Sequence, residues 1–251
     1  MKADITDILN SWEYDPDNHI RIIKLENDRE VLQVRQPLGI EQYELEGRPD
    51  GKKPFKSGSV LEDCLQKLEQ HRKRYKSDKD FRLTHNDYLN LRNEGILYYS
   101  RYQLLFQLGE YERTASDTEH NLQICELAEK FLHNTREKQE ILQYRPYILR
   151  INAISNAMIS LQGKLKSVAQ KILESAIDVI QKIPDIDTRE FQVEKERSIK
   201  YLQTTLHEIQ NEELSYTEQL EQELEEAVAI ENYERAAELR DKLQELRKPR
   251  I

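Results

Sequence analysis

Glycine and proline, seven of each in 251 residues, leave the chain few places to break. In a helix interior Gly costs about 1 kcal/mol and Pro about 3 kcal/mol relative to Ala. A chain this poor in both, and rich in Leu, Glu, Lys, Gln and Arg, is suited to long helices. The interior must be lean: 34% of residues are charged and 37% hydrophobic, with 47 acids against 38 bases and a formal charge of −9. Leu, Ile, Val and Phe still number 65, about a quarter of the chain, above the level of disordered sequences. The expected fold is mainly α. An all-β sandwich, a collagen-like chain and a glycine-rich nucleotide-binding enzyme all run against this composition.

Cys64 and Cys125 both fall in helical apolar patterns, so they read as buried reduced thiols rather than a disulfide framework. The first residues carry Asp4 and Asp7 where a signal peptide would be apolar, and no run approaches the ~20 apolar residues of a membrane span. We expect a soluble cytoplasmic protein. The acidic balance runs against a general nucleic-acid binder, because cations on phosphates supply non-specific affinity.

Four segments are expected. Residues 1–56 read as a small α+β module. Ile20–Leu25 and Glu30–Arg35 are β-leaning runs around the turn Glu26–Arg29, Gly39–Leu45 offers a third strand, and Gly47-Arg48-Pro49-Asp50-Gly51 closes the segment. An amphipathic stretch at Ile5, Ile8, Leu9 and Trp12 is expected to cover one sheet face. Residues 57–186 read as antiparallel helices, opening on a capping box at Ser59 and Glu62 and another at Thr84 and Asp87. Breaks follow at Gly109, at Asn134 with Pro146 splitting the pattern beyond it, at Gly163 and at Pro184. Residues 187–219 read as a long helix with a coiled-coil-like seam at Ile199, Leu202, Leu206, Ile209 and Tyr216, interrupted by Glu213. Such a helix projects from the body or pairs with another. Residues 220–248 read as an αα-hairpin.

Two of the breaks resemble each other. Phe106-Gln107-Leu108-Gly109-Glu110-Tyr111 followed by Ala115 resembles the inter-helix turn of a tetratricopeptide repeat, and Ser160-Leu161-Gln162-Gly163-Lys164-Leu165 followed by Ala169 resembles a degenerate copy. In both, the glycine is expected to let the backbone turn. The two glycines lie 54 residues apart, against 34 for that repeat, so an ordinary helical bundle is the alternative.

The last segment carries the most specific pattern. Tyr233, Glu234, Ala236, Ala237, Arg240 and Asp241 form an aromatic-Glu-x-Ala-Ala-x-x-Arg-Asp centre, and the stretch Leu220–Leu246 resembles the UVR motif named for the repair proteins UvrB and UvrC. Independently, Leu220, Leu224, Ala227 and Val228 form one helical stripe, and Ala236, Ala237, Leu239, Leu243 and Leu246 a second. With Ile230-Glu231-Asn232 between them they should fold back as a hairpin with Tyr233 at its end. The resemblance implies a protein-docking element, as in the pairing of UvrB with UvrC, in Clp-type ATPases and in the McsA adaptor. Arg240 and Asp241 are then the natural specificity pair. The alternative is a hairpin packed within its own molecule, with Arg240 bridging Glu234 or Glu238. No P-loop and no paired-cysteine zinc motif accompanies it, so the resemblance implies nothing catalytic.

Weaker constellations remain. Arg72, Lys73 and Arg74 belong to a basic cluster that either contacts nucleic acid or forms the solvated end of a helix; the 12 acids and 6 bases between Asn211 and Ile251 give the tail the opposite sign. Arg48 and Asp50 mark an exposed recognition turn or a plain tight turn. Tyr88, Tyr98, Tyr99 and Tyr102 line a peptide groove or pack in the core. Six histidines show no metal-ligand spacing, and no cofactor, metal or small-molecule substrate is expected. The reading that follows is a non-enzymatic adaptor whose partner is a protein, another UVR-containing chain or a second copy. A DNA-repair accessory factor working through Arg72–Arg74 and a structural coiled-coil oligomer are the alternatives.

Overall fold

The computed structural model describes residues 4–54, 57–211, 216–229 and 232–247. It is mainly α-helical, with a small antiparallel sheet near the N-terminus and a helical hairpin at the C-terminus.

The hairpin pattern folds as expected into β1 (Ile20–Lys24), β2 (Glu30–Gln36) and β3 (Gly39–Glu44), in the order β1-β2-β3. Ile22 sits opposite Leu32, and Leu32 opposite Tyr43. Because side chains alternate along a strand, Ile20, Ile22, Leu32 and Tyr43 share one face. That face packs, with Leu45, on Leu104 and Leu105 of a body helix, so the sheet completes its core with the helical body. The opposite face is tied to the N-terminal stretch by Arg35, which is buried and donates to the backbone oxygens of Trp12 (2.7 Å) and Leu9 (3.5 Å). The Trp12 ring lies 3.8 Å from the Arg21 guanidinium. The stretch folds as α1 (Thr6–Ser11), but Ile5 and Ile8 stay exposed. Of the four apolar residues expected to cover the sheet, only Leu9 and Trp12 are half-buried, and Arg35 and Arg21 add polar ties to the stretch.

The helical body begins with α2 (Val60–Tyr75), where Ser59 Oγ accepts from the Glu62 N–H at 3.1 Å. It continues through α3 (His85–Gln107), whose Thr84 and Asp87 make the full reciprocal capping box, and α4 (Tyr111–Phe131). Asn134 caps the short α5 (Thr135–Leu142), and α6 (Arg145–Gln162) carries Pro146 in its first turn. Pro lacks an N–H that this turn does not use, so it divides the pattern instead of kinking one helix. α7 (Lys166–Lys182) and α8 (Arg189–Asn211) complete the body. Cys64 and Cys125 are buried in the cluster formed mainly by α2, α3 and α4.

The two similar turns share one backbone pattern. Gly109 N–H bonds Phe106 O and Glu110 N–H bonds Leu105 O; Lys164 N–H bonds Leu161 O and Leu165 N–H bonds Ser160 O. Both are Schellman closures. The left-handed residue of the first is Gly109 (φ +75°), but in the second it is Lys164 (φ +60°), and Gly163 has an ordinary φ of −80°. The glycine predicted to release the second turn is therefore one position early.

The apolar seam expected on a long C-terminal helix is used inside the body. α8 packs on α6 and α7, with Leu202 and Ile209 buried and Ile199 and Leu206 against the same cluster. α8 ends at Asn211, and Glu213 lies outside the described residues. Among the described residues no helix is long and apolar enough to cross a membrane.

Candidate functional site

The C-terminal hairpin consists of α9 (Tyr216–Ala229) and α10 (Tyr233–Arg247). Ile230 and Glu231 of the connection lie outside the described residues. Asn232 starts the second helix: its carbonyl accepts from Ala236 N–H at 3.0 Å, its side-chain oxygen from Arg235 N–H at 3.2 Å, and its own N–H returns to Ala227 O at 2.8 Å. Asn is a favoured cap because its short oxygen satisfies an otherwise orphan helix N–H. Leu220, Ala227, Ala236, Leu239 and Leu243 form the hairpin core with Leu224 beside them. Small Ala227 and Ala236 let the helices approach closely.

The predicted motif residues divide between the two sides of α10. Ala236 points inward. Tyr233, Glu234, Ala237, Arg240 and Asp241 are all exposed, Tyr233 at 69%. Val228, expected in the apolar stripe of α9, is exposed as well, and the side chain of Leu246 lies outside those described. The tie across the hairpin is made by Arg235, which bonds Glu223 and Glu238, each at 3.0 Å. Arg240 reaches Asp241 at 3.3 Å, in place of the Glu234 or Glu238 bridge expected of a self-contained hairpin. The i,i+3 acid at Glu238 is the sequence signal for Arg235.

At 100° per residue, Arg235 and Glu223 mark one side of the hairpin. Tyr233, Ala237, Arg240 and Asp241 then lie on the other side, together with Glu221, Glu225 and Val228 of α9. That side is a mixed surface of three exposed apolar side chains, Tyr233, Ala237 and Val228, rimmed by ionic groups. Residues 215–248 match the UvrB/uvrC motif. Neither the curated proteins nor the solved structures gave a match to the chain. The motif covers the hairpin alone, so the helical body and the sheet are described by their geometry only.

The other sequence candidates are placed differently. Arg48 and Asp50 are half-buried rather than displayed on an exposed turn. Arg48 donates to Asp50 at 2.8 Å and to the fully buried Glu94 at 2.7 Å, folding the turn onto α3. Glu94 is the hub that sequence reasoning missed. It also accepts from the N–H groups of Val60 (2.8 Å) and Leu61 (3.0 Å) at the start of α2 and lies 3.2 Å from His120. Burial alone would raise its pKa, but the hydrogen bonds from His120 and from Val60 and Leu61 outweigh burial and hold the carboxyl below its usual range. A lone Glu inside an amphipathic helix gives no sign of this in sequence. Beside it Arg101 clamps Asp117 at 2.6 Å and donates to the carbonyls of Glu44 and Gly47, fixing the end of the sheet to the body.

Arg72, Lys73 and Arg74 stand in the last turn of α2: Arg72 pairs with Asp78, Lys73 with Glu69, and Arg74 lies over the Tyr75 ring. Tyr88, Tyr98 and Tyr102 are buried, and only Tyr99 of that set is exposed. The tyrosines of α3 are thus mainly core, with burial pushing the Tyr98 hydroxyl up to about 12. Among the described residues no group of three or more His, Cys, Asp and Glu stands together as a metal-ligand set.

Proposed function

We propose that this chain is a non-enzymatic cytoplasmic adaptor that docks a protein partner on the outer face of its C-terminal hairpin. One observation carries the reading. Tyr233, Ala237, Arg240 and Asp241 are surplus to the hairpin's own core, which Leu220, Ala227, Ala236, Leu239 and Leu243 supply. Residues that define the motif yet take no part in the hairpin's apolar core are available for recognition. The helical body then acts as the scaffold that carries the hairpin, and the Arg48 turn and the α3 tyrosines serve that scaffold.

The test is site-specific photo-crosslinking from position 237 of the intact chain in native lysate, with mass spectrometry of the adducts. We expect one dominant protein adduct that is lost in Arg240→Glu and Tyr233→Ala and kept in Arg72→Glu. An adduct unaffected by Arg240→Glu and Tyr233→Ala would overturn the reading. Loss of the adduct in Arg72→Glu, together with salt-dependent DNA binding, would favour the nucleic-acid alternative instead.

A further inference from the structure

α7 has one apolar flank that the body does not cover. Its core side, Ala169, Leu173, Ile177 and Ile180, is buried against the α6–α8 cluster. Beside it, Leu165, Val168, Ile172, Ala176 and Val179 recur at three- and four-residue steps and so follow one line along the helix. Val168 is 39% exposed and Val179 45%, while Ile172 and Ala176 are partly buried at the edge of the core. Lys171, exposed, follows Val168 at i+3, and Lys164, also exposed, lies in the turn just before α7.

Four observations identify the segment that fits this flank. First, Lys164 Nζ lies 3.9 Å from Glu221 Oε1, which brings the first half of α9 to the head of α7. Second, Glu221, Leu224 and Val228 of α9 repeat the three-then-four spacing of Leu165, Val168 and Ile172. Third, α8 follows α7 through the short 183–188 connection and packs on it, so a hairpin folded back from the end of α8 would run along α7 in the same direction, and the two lines would stay in register. Fourth, the charges are complementary: Glu221 and Glu225 flank Leu224 and Val228 as Lys164 and Lys171 flank Val168.

We propose that the hairpin has a closed position on α7, with Leu224 over Val168 and Val228 over Ile172, and with Glu221 and Glu225 against Lys164 and Lys171. Glu221 and Val228 share the side of the hairpin that carries Tyr233, Ala237 and Arg240. Closure therefore covers the docking face, and the flank of α7 and an external partner compete for the same surface. This inference rests on the docking reading for its consequence, but the contact itself is intramolecular and is tested without any partner.

The experiment uses the full chain carrying Ile172→Cys and Val228→Cys, oxidised mildly at low concentration and run on a non-reducing gel. Burial pushes the native Cys64 and Cys125 thiols up to about 12, which keeps them out of the reaction. A second pair, Val168→Cys with Leu224→Cys, guards against a local effect of either site, and Tyr99→Cys with Val228→Cys is the control, with its first cysteine on α3. We expect a fast-migrating monomeric disulfide in both test pairs, at least fivefold above the control. It should weaken several-fold with Lys164→Glu and recover when Glu221→Lys is added. Disulfide-linked dimers in place of the monomeric product would mean that a second copy covers the flank and would overturn the closed position. Yields equal to the control in both pairs would overturn it as well, leaving the crosslinking from position 237 to judge the docking reading separately.

Discussion

Lys164 is held at φ +60°, a region in which a side chain with a Cβ is strained by about 1 kcal/mol. Gly109 occupies the corresponding position of the first turn without that cost. Lys164→Gly should therefore stabilise the chain by about 1 kcal/mol, and Gly109→Ala should destabilise it by a similar amount, both read as shifts of the urea midpoint at constant m-value. The Lys164–Glu221 pair detracts little, since its 3.9 Å separation and exposed lysine make it weak. Glu94 works in the other direction. It is a fully buried carboxylate joining the start of α2, the Arg48 turn and His120. Glu94→Gln should cost about 3 kcal/mol, because it leaves the Arg48 guanidinium without its buried counter-charge. The pKa values of Glu94, Asp50 and Asp87 are all held below their usual range: burial opposes this, but hydrogen bonds from His120, Arg48 and Thr84 respectively prevail. A depressed folded value means that the native state binds fewer protons than the unfolded chain. The stability contributed is complete above the unfolded values near pH 4 and is lost as pH falls through the depressed folded values. The midpoint should stay level from pH 7 to 5 with respect to these groups and drop below about pH 4, and Glu94→Gln should show a shallower acid limb than the parent chain.

At the scale of elements, the hairpin and the body are held by separate cores. The hairpin buries only Leu220, Ala227, Ala236, Leu239 and Leu243, with Leu224 at the edge, and a helical pair of this size has little to spare. Leu239→Ala removes a fully buried side chain and should cost the hairpin about 3 kcal/mol. In hydrogen exchange, amides of α9 and α10 should then exchange faster by orders of magnitude, with those of α3, α4 and α6 unchanged. Equal loss of protection in the body would show that the two cores are one cooperative unit. The caps at Ser59, Thr84 and Asn134 and the break at Pro146 were legible in the sequence because each acts through its own neighbours. The fate of α8 was not: a three-four seam is the same pattern whether it meets another chain or α6 and α7 of its own. Likewise Val228 continues an apolar stripe on paper, but the helix pair is too narrow to bury it.

Across the whole molecule, the features that sequence reasoning placed correctly are local or periodic, and those it misplaced are long-range. Arg48 and Asp50 read as a displayed turn because nothing nearby announces Glu94, which lies 46 residues from Arg48. The sheet read as a module of its own because its strands are contiguous, whereas its core is completed by Leu104 and Leu105 and its end is pinned by Arg101. The C-terminal motif was the most legible part, since a helical hairpin is one local unit. What the fold adds is the separation of inward Ala236 from outward Tyr233, Ala237, Arg240 and Asp241, on which the proposed docking face rests. Photo-crosslinking from position 237 tests that face most directly: the docking reading predicts one dominant protein adduct, abolished by Arg240→Glu in a chain that keeps its circular dichroism spectrum and its unfolding midpoint. An equally strong adduct in Arg240→Glu, or none at all in the parent chain, would contradict it.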